Sequence, residues 1–246
     1  WLAAMAARIV PSDRVLDPSA GTGMLAVHAA RAGARLLLNE RDPGRAALLG
    51  RALDREVTTH DAEFIHDKLP SGASPDVVLI NPPFSRSEGR GADRHAGARH
   101  LRSALLRLGH GGRCVAIMPP GFACDGSASA GYTAVAEVAP PRAELTILGS
   151  PFAKHGTSIA VRLLVYDKGW AGPVERHTVR SLEEALPAIL ALPPRLDPSP
   201  TPPPAAALPQ PPVRVAARPA ASPLFSGLAS PCRTIPRRDP RVDDEA

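Results

Sequence analysis

Arg14-Val15-Leu16-Asp17-Pro18-Ser19-Ala20-Gly21-Thr22-Gly23 is a short apolar run that ends in a carboxylate and turns through proline and two glycines. A helical pattern, Met24 to Arg31, follows it and stops at Gly33. An apolar run closed by Pro and Gly predicts a buried strand and a tight strand-to-helix turn. Glycine at 21 and 23 lets the backbone approach a ligand without Cβ atoms between them, and a helix N-terminus offers unpaired amides to a negative group. With Ala26 the spacing also satisfies G-x-G-x-x-A, the dinucleotide pattern, which alone does not separate a ligand turn from a structural one.

The same grammar repeats outward from this turn. Ala34 to Glu40 predicts a second buried strand with an acid at its end, and Asp42-Pro43 opens a helix to about Leu53 with proline in its first turn. Glu56 to Asp61 is a third strand, again ending in a carboxylate, and Asp76 to Ile80 is a fourth. Asn81-Pro82-Pro83-Phe84 stops that fourth strand, because successive prolines cannot continue a ladder. Beyond it come a polar Gly- and Arg-rich loop (85–94), a helix through Leu108, and a strand from Arg113 to Met118. A helix around Tyr132 to Val138 precedes two last strands, Glu144 to Leu148 and Ser158 to Tyr166, joined by 149–157. This alternation predicts an α/β fold, a mostly parallel seven-stranded sheet with an antiparallel closing strand. In such sheets ligands bind outside the carboxyl ends of the strands.

Three successive strand ends carry acids: Asp17, Glu40 and Asp61. A carboxylate four residues ahead of the glycines would repel a pyrophosphate, yet it suits S-adenosyl-L-methionine, whose ammonium and sulfonium are cationic. Glu40 can accept hydrogen bonds from two ribose hydroxyls, and Asp61 from an adenine amine. The expected cofactor contacts are Asp17, Pro18, Ser19, Ala20, Gly21, Thr22, Gly23, Glu40 and Asp61.

Asp17-Pro18-Ser19-Ala20-Gly21-Thr22-Gly23, the acids Glu40 and Asp61, and Asn81-Pro82-Pro83-Phe84 together resemble the ordered motifs of amino-methylating methyltransferases. Their order is similar to the gamma-type arrangement of the N6-adenine enzymes, and the resemblance covers about 1–168. It implies a Rossmann-like S-adenosylmethionine methyltransferase fold. More narrowly, Asn81 to Arg86 with Ser150-Pro151-Phe152-Ala153-Lys154-His155-Gly156-Thr157 resembles the methyltransferase module of bacterial strawberry-notch-like helicase proteins. That resemblance implies a helicase domain or subunit as partner, although the chain shows no helicase motif.

The catalytic expectation rests on Asn81, Pro82, Pro83 and Phe84. The lone pair of an exocyclic amine is delocalised into its ring, so the amine is a poor nucleophile. Two acceptors, the Asn81 side-chain oxygen and the Pro82 carbonyl, favour a pyramidal nitrogen, and Phe84 can stack on the planar target. This is positioning and electrostatic stabilisation, without a covalent intermediate. The leading acceptor is N6 of adenine in DNA. RNA guanine, protein glutamine, or a non-catalytic module of a larger machine are the alternatives. A duplex adenine would have to be flipped out. Arg86, Arg90, Arg94 and His95 can hold phosphates, and Lys154 to Thr157 faces the same way.

Of the 29 prolines, 15 lie between Pro193 and Pro240, so 1–170 reads as the methyltransferase domain and 171–246 as a Pro/Ala/Arg-rich linker or disordered tail. The net charge of +5 is compatible with a polyanionic partner. Cys114, Cys124 and Cys232 form no CxxC pair, which argues against a disulfide framework or metal site and for a reducing, cytoplasmic compartment. Cys114 reads as core, and His28 and His66 as surface or packing residues. There is no 18-residue apolar run and no basic-headed signal peptide, so no membrane partner is expected. Beginning at Trp1 and ending in Asp243-Asp244-Glu245-Ala246, the chain reads as a piece of a longer protein.

Overall fold

The alternation seen in the sequence becomes a three-layer α/β arrangement. The computed structural model describes residues 1–196 except 71, 85, 88–90, 94 and 149–159. In chain order it contains α1 (Leu2–Ala7), β1 (Arg14–Asp17), α2 (Ala26–Arg31), β2 (Arg35–Asn39), α3 (Pro43–Leu53) and β3 (Val57–Thr58). A 3-10 turn, Ala62–Phe64, leads into α4 (Ile65–Lys68), β4 (Val77–Ile80), and the two-residue strands β5 (Arg86–Ser87) and β6 (Gly91–Ala92). Then come α5 (Ala96–Arg107), β7 (Arg113–Met118), α6 (Ser129–Ala136), β8 (Ala143–Ile147), β9 (Val161–Asp167), β10 (Glu175–Val179) and α7 (Leu182–Ala191).

The main sheet has the order β10-β8-β9-β7-β4-β1-β2-β3. All pairings are parallel except those of β9, which runs antiparallel between β7 and β8. Alternate side chains feed two apolar layers. Val77 and Leu79 of β4 join the layer that includes α1 and α7, while Val78 and Ile80 join the layer of α5 and α6. All four are 0% exposed, and burying each contributes roughly 1.5–3 kcal/mol, so the strand carrying Asn81 at its end is firmly anchored.

Chain order reverses between β1 and β4, with Leu16 opposite Val78. This is the topological switch point, where the diverging connections leave a crevice at the strand ends. Asp17 and Asn81, the residues at those two ends, therefore flank one crevice.

Two expectations need correction. The sheet has eight strands, one more than expected, and the boundary at residue 170 falls too early. Within the segment read as tail, β10 pairs with β8 from Glu175↔Ala143 to Val179↔Ile147. Helix α7 follows, with Ala185 and Ile189 buried in the layer shared with α1. The strand was hidden because it is an exposed edge, Glu175-Arg176-His177-Thr178, with no apolar alternation. Pro187 inside α7 disguised the helix. The third expected strand is also shorter than read, only Val57 and Thr58. Among the described residues no helix is long and apolar enough to cross a membrane.

Candidate functional site

The turn after β1 is built as a carboxylate cradle. Gly21 and Gly23 take positive φ, +56° and +90°, which L side chains resist. A Cβ on Gly23 would stand 2.5 Å from Leu49 Cδ1, so glycine there also lets α3 pack against the turn. The turn's amides, expected to face a negative group, are taken internally. Gly21 N–H donates to Glu40 Oε2 at 2.8 Å and Gly23 N–H to the Ala20 carbonyl at 2.8 Å. Helix α2 begins only at Ala26. Gly21 N–H is thus committed to a carboxylate of the protein itself.

Asn39 locks this arrangement. It is 1% exposed, and its amide donates to the Pro18 carbonyl (2.9 Å) and the His60 carbonyl (3.0 Å). Its oxygen accepts from His60 N–H and Thr58 Oγ1, both at 2.8 Å. All four hydrogen-bonding positions of the amide are used, which ties the turn after β1 to the end of β3.

The three acids sit differently. Asp17 is 2% exposed, behind the cleft surface, and its Oδ1 accepts from Ser19 N–H at 3.3 Å. Burial pushes its carboxyl up to about 7; the Ser19 hydrogen bond opposes this and the nearby Glu40 adds to it. Glu40 is nearly buried and receives Gly21 N–H, Asp42 N–H (2.9 Å) and two bonds from Arg45 (3.1 and 2.8 Å). Asp61 accepts from Glu63 N–H (3.0 Å) and pairs with Arg41 at 2.7 Å.

Asn81 stands between two cavities. One, about 480 Å³, is polar, with Ser19, Gly21, Thr22, Glu40 and Asp61 in its wall, and Asn81 and Pro83 at its far side. The other, about 310 Å³, is mainly apolar, with Leu25, Ile117, Ile147 and Leu163 beside Asn81. Pro82 is buried and Phe84 half-buried, packed against the layer containing Leu79, Val115 and Val161. Asp17, Pro18, Ala20, Gly23, Pro82 and Phe84 thus support the cleft from behind, and do not form its surface.

Four contributors were not foreseen: Asn39, Arg41, Arg45 and His100. His100 of α5 lies in the polar cleft with Nδ1 3.2 Å from Ser19 Oγ. Burial lowers its pKa against the opposing pull of Glu63 and Asp61, favouring the neutral ring. Only the position of Arg45, one turn into a helix that follows an acidic strand end, was a usable signal. Ser85, Arg90, Arg94 and the Lys154-His155-Gly156-Thr157 connection lie outside the described residues, and of Arg86 only the backbone is described. His95 occupies the N-cap position of α5, with no side-chain capping hydrogen bond. Cys114 is buried, as expected, while Cys124 is exposed. Among the described residues no group of three or more His, Cys, Asp or Glu is placed to hold a metal ion.

The profile of the methyltransferase small domain family matches residues 2–124. No curated protein matches the chain. Among solved structures the chain is similar to a type I restriction-modification system methyltransferase subunit from Streptococcus thermophilus. The two share 16% identity over 77% of this chain and 51% of that one, with a TM-score of 0.61. A modification subunit assigned to a type I restriction enzyme of Vibrio vulnificus YJ016 gives 19% identity, 68% and 43% coverage, and 0.55. A protein of Pyrococcus horikoshii assigned as an RNA methyltransferase gives 22%, 68% and 80%, and 0.51. The chain spans about half the length of the two restriction-modification subunits. At these identities the likeness shows a shared fold.

Proposed function

The chain belongs to the methyltransferase small domain family, whose cofactor is S-adenosyl-L-methionine, and from that premise we propose that it is an N-methyltransferase acting on N6 of adenine in DNA. The observation that carries the proposal is the place of Asn81, in the wall of both the polar cleft and the apolar cavity. The carboxylates of the first suit the hydroxyls and amine of a nucleoside cofactor, and the flat face of a base suits the second.

When bound, the cofactor supplies an electrophilic methyl group on its sulfonium. Glu40 and Asp61 would accept hydrogen bonds from its ribose and adenine, and Asp17, behind Ser19, would supply negative charge suited to its cationic part. Asn81 Oδ1 accepts an N–H of the target amine and directs its lone pair into the cleft, and it stabilises the positive charge that develops on that nitrogen. Pro82, buried behind the cleft wall, holds Asn81 in place, and the nitrogen then loses its proton to water. No nucleophilic Ser or Cys is required.

DNA is favoured over the other amine carriers by the order of the motifs, cofactor turn before Asn81, and by the arginine-rich loop that follows it. Transfer of label from isotopic S-adenosylmethionine to adenine-containing DNA tests the reading. Asn81→Ala is expected to abolish transfer while cofactor binding persists. Undiminished transfer sinks the role of Asn81. Digestion of the labelled product distinguishes methyladenine from methylguanine or methylglutamine.

A further inference from the structure

Glu40 Oε1 is crowded. It accepts from Asp42 N–H at 2.9 Å and from Arg45 Nε and Nη2 at 3.1 and 2.8 Å. A carboxylate oxygen has about two lone-pair sites, so three donors already exceed its capacity. Among the described residues, Glu40 Oε2 accepts from Gly21 N–H alone, at 2.8 Å. A ligand that presents two neighbouring hydroxyls can use Oε2 as it stands. It can reach Oε1 only if a donor leaves.

Arg45 is the donor able to leave. The two backbone amides are fixed by the glycine turn and by the start of α3, where Asp42 caps Arg45 N–H at 2.7 Å. The Arg45 side chain is 55% exposed, against 6% for Glu40, and it lines the cleft on the side open to solvent. The same two amides keep Glu40 oriented without Arg45, so the guanidinium is not needed to place the carboxylate.

We propose that Arg45 is a displaceable latch on Glu40, closed in the free protein and opened when the vicinal hydroxyls of the cofactor's ribose take its place. The inference rests on the cofactor reading of this cleft. It makes Arg45 a positioning residue that opposes binding: every ligand that uses both oxygens of Glu40 first breaks an ion pair. Arg41 likewise pairs with Asp61, at the start of the 3-10 turn that follows β3.

Calorimetric titration of the whole chain with S-adenosylhomocysteine tests it, comparing wild type with Arg45→Met, which keeps the aliphatic stem. At low salt the variant is expected to bind roughly two- to fivefold tighter, the range that one exposed ion pair corresponds to. Raising the salt should strengthen wild-type binding and narrow that gap, because an exposed pair is screened. Equal or weaker binding by a folded Arg45→Met overturns the latch, as does a gap that salt leaves unchanged. A wild-type chain that fails to bind S-adenosylhomocysteine overturns the cofactor reading and the latch with it. Binding by wild type with a weaker Arg45→Met overturns the latch alone. Independently, the Arg45 Nε–H NMR signal should move to a solvent-exchanging position on saturation with the ligand.

Discussion

A Cβ added to Gly97 of α5 would stand 3.1 Å from the carbonyl oxygen of Pro83, which places the helix close against the backbone of the Asn81-Pro82-Pro83 turn. The same atom would lie 3.3 Å from Pro82 Cγ and 3.6 Å from Met118 Cε. Met118 Cε is at ordinary contact distance, but the two nearer neighbours are a backbone carbonyl and a proline ring that cannot swing aside, so Gly97→Ala must shift the Pro82-Pro83 turn by a few tenths of an ångström. Overpacking of this kind costs about 1–3 kcal/mol. The larger effect is expected on chemistry, since small displacements of an oriented site are expensive. Methyl transfer should fall roughly tenfold or more while affinity for S-adenosylhomocysteine changes little. Unchanged turnover with reduced Tm would confine the contact to a structural role.

Asp17 makes stability and binding respond to pH in opposite directions. Its carboxyl lies at about 7 in the folded chain, against 3.8 for the ordinary group, because burial disfavours the charge. Between those values the folded state binds the extra proton. The Asp17 contribution to stability is therefore full below the unfolded pKa and is lost as pH rises through 7. A cationic ligand pairs with the ionised form, so affinity should rise with pH up to about 7 and level off above it, with proton release on binding below that point. Asp17→Asn should flatten both profiles. Chemical denaturation and calorimetry from pH 5 to 9 measure the two slopes; a wild-type affinity that falls across this range would refute the pairing.

The elements that place the crevice could be read from the chain because each carries its own local signal. Val77 to Ile80 form an unbroken apolar run, Pro82-Pro83 stops it, and the positive φ of Gly21 and Gly23 is what glycine at those positions implies. Arg45 and His100 could not be placed in the same way. Arg45 reaches back over the end of β2, and Ser19 and His100 meet only because α5 crosses the strand ends. Asn39 looked like one residue of a buried strand, since its four bonds run to Pro18 in the turn after β1 and to Thr58 and His60 at the end of β3. At the C-terminal end a signal was present and outweighed. Ser181-Leu182-Glu183-Glu184 is a capping pattern: Ser181 Oγ accepts Glu184 N–H at 3.2 Å, and Glu184 accepts Arg180 N–H at 2.8 Å. The prolines downstream masked it.

Asn39→Ala should cost more than its small volume suggests. The substitution strands two carbonyls and an amide at the junction, while the Thr58 hydroxyl keeps the Leu38 carbonyl as its acceptor at 3.2 Å. Leaving buried polar groups unpaired costs about 1–3 kcal/mol each, partly recovered by water, so a net loss of roughly 2–4 kcal/mol is expected in denaturant unfolding. Asn39→Asp keeps the acceptor and loses the donors, and should be similarly harmful near neutral pH. A loss under about 0.5 kcal/mol would show that water replaces the amide in full.

Removal of the segment after Trp170 should unfold or severely weaken the whole chain. Arg113 is 0% exposed and pairs with Asp167 at 2.6 Å through Nε and 2.7 Å through Nη2. Its remaining donors go to the Ala6 carbonyl of α1 at 3.0 Å and to the Pro193 and Pro194 carbonyls at 3.1 and 3.3 Å. Arg142 joins the same Asp167 and reaches the Pro194 carbonyl at 3.1 Å. At the edge, Arg195 pairs with Asp13 at 2.8 Å and Arg8 donates to Leu190. Ending the chain at 170 strips carbonyl acceptors from two buried arginines. It also uncovers Leu145, Leu163 and Val165, over which Ile189 and Leu192 pack. Leaving buried donors without their carbonyl acceptors costs about 1–3 kcal/mol each, and each uncovered aliphatic roughly 1.5–3 more when fully exposed. For a domain of this size 1 kcal/mol moves Tm by about 2–4 °C, so residues 1–170 should melt at least 10 °C below the full chain or be recovered aggregated. Residues 1–196 keep every one of these contacts and should melt within about 2 °C of it. Equal melting of the 1–170 and 1–196 chains would return β10 and α7 to the status of an appended tail.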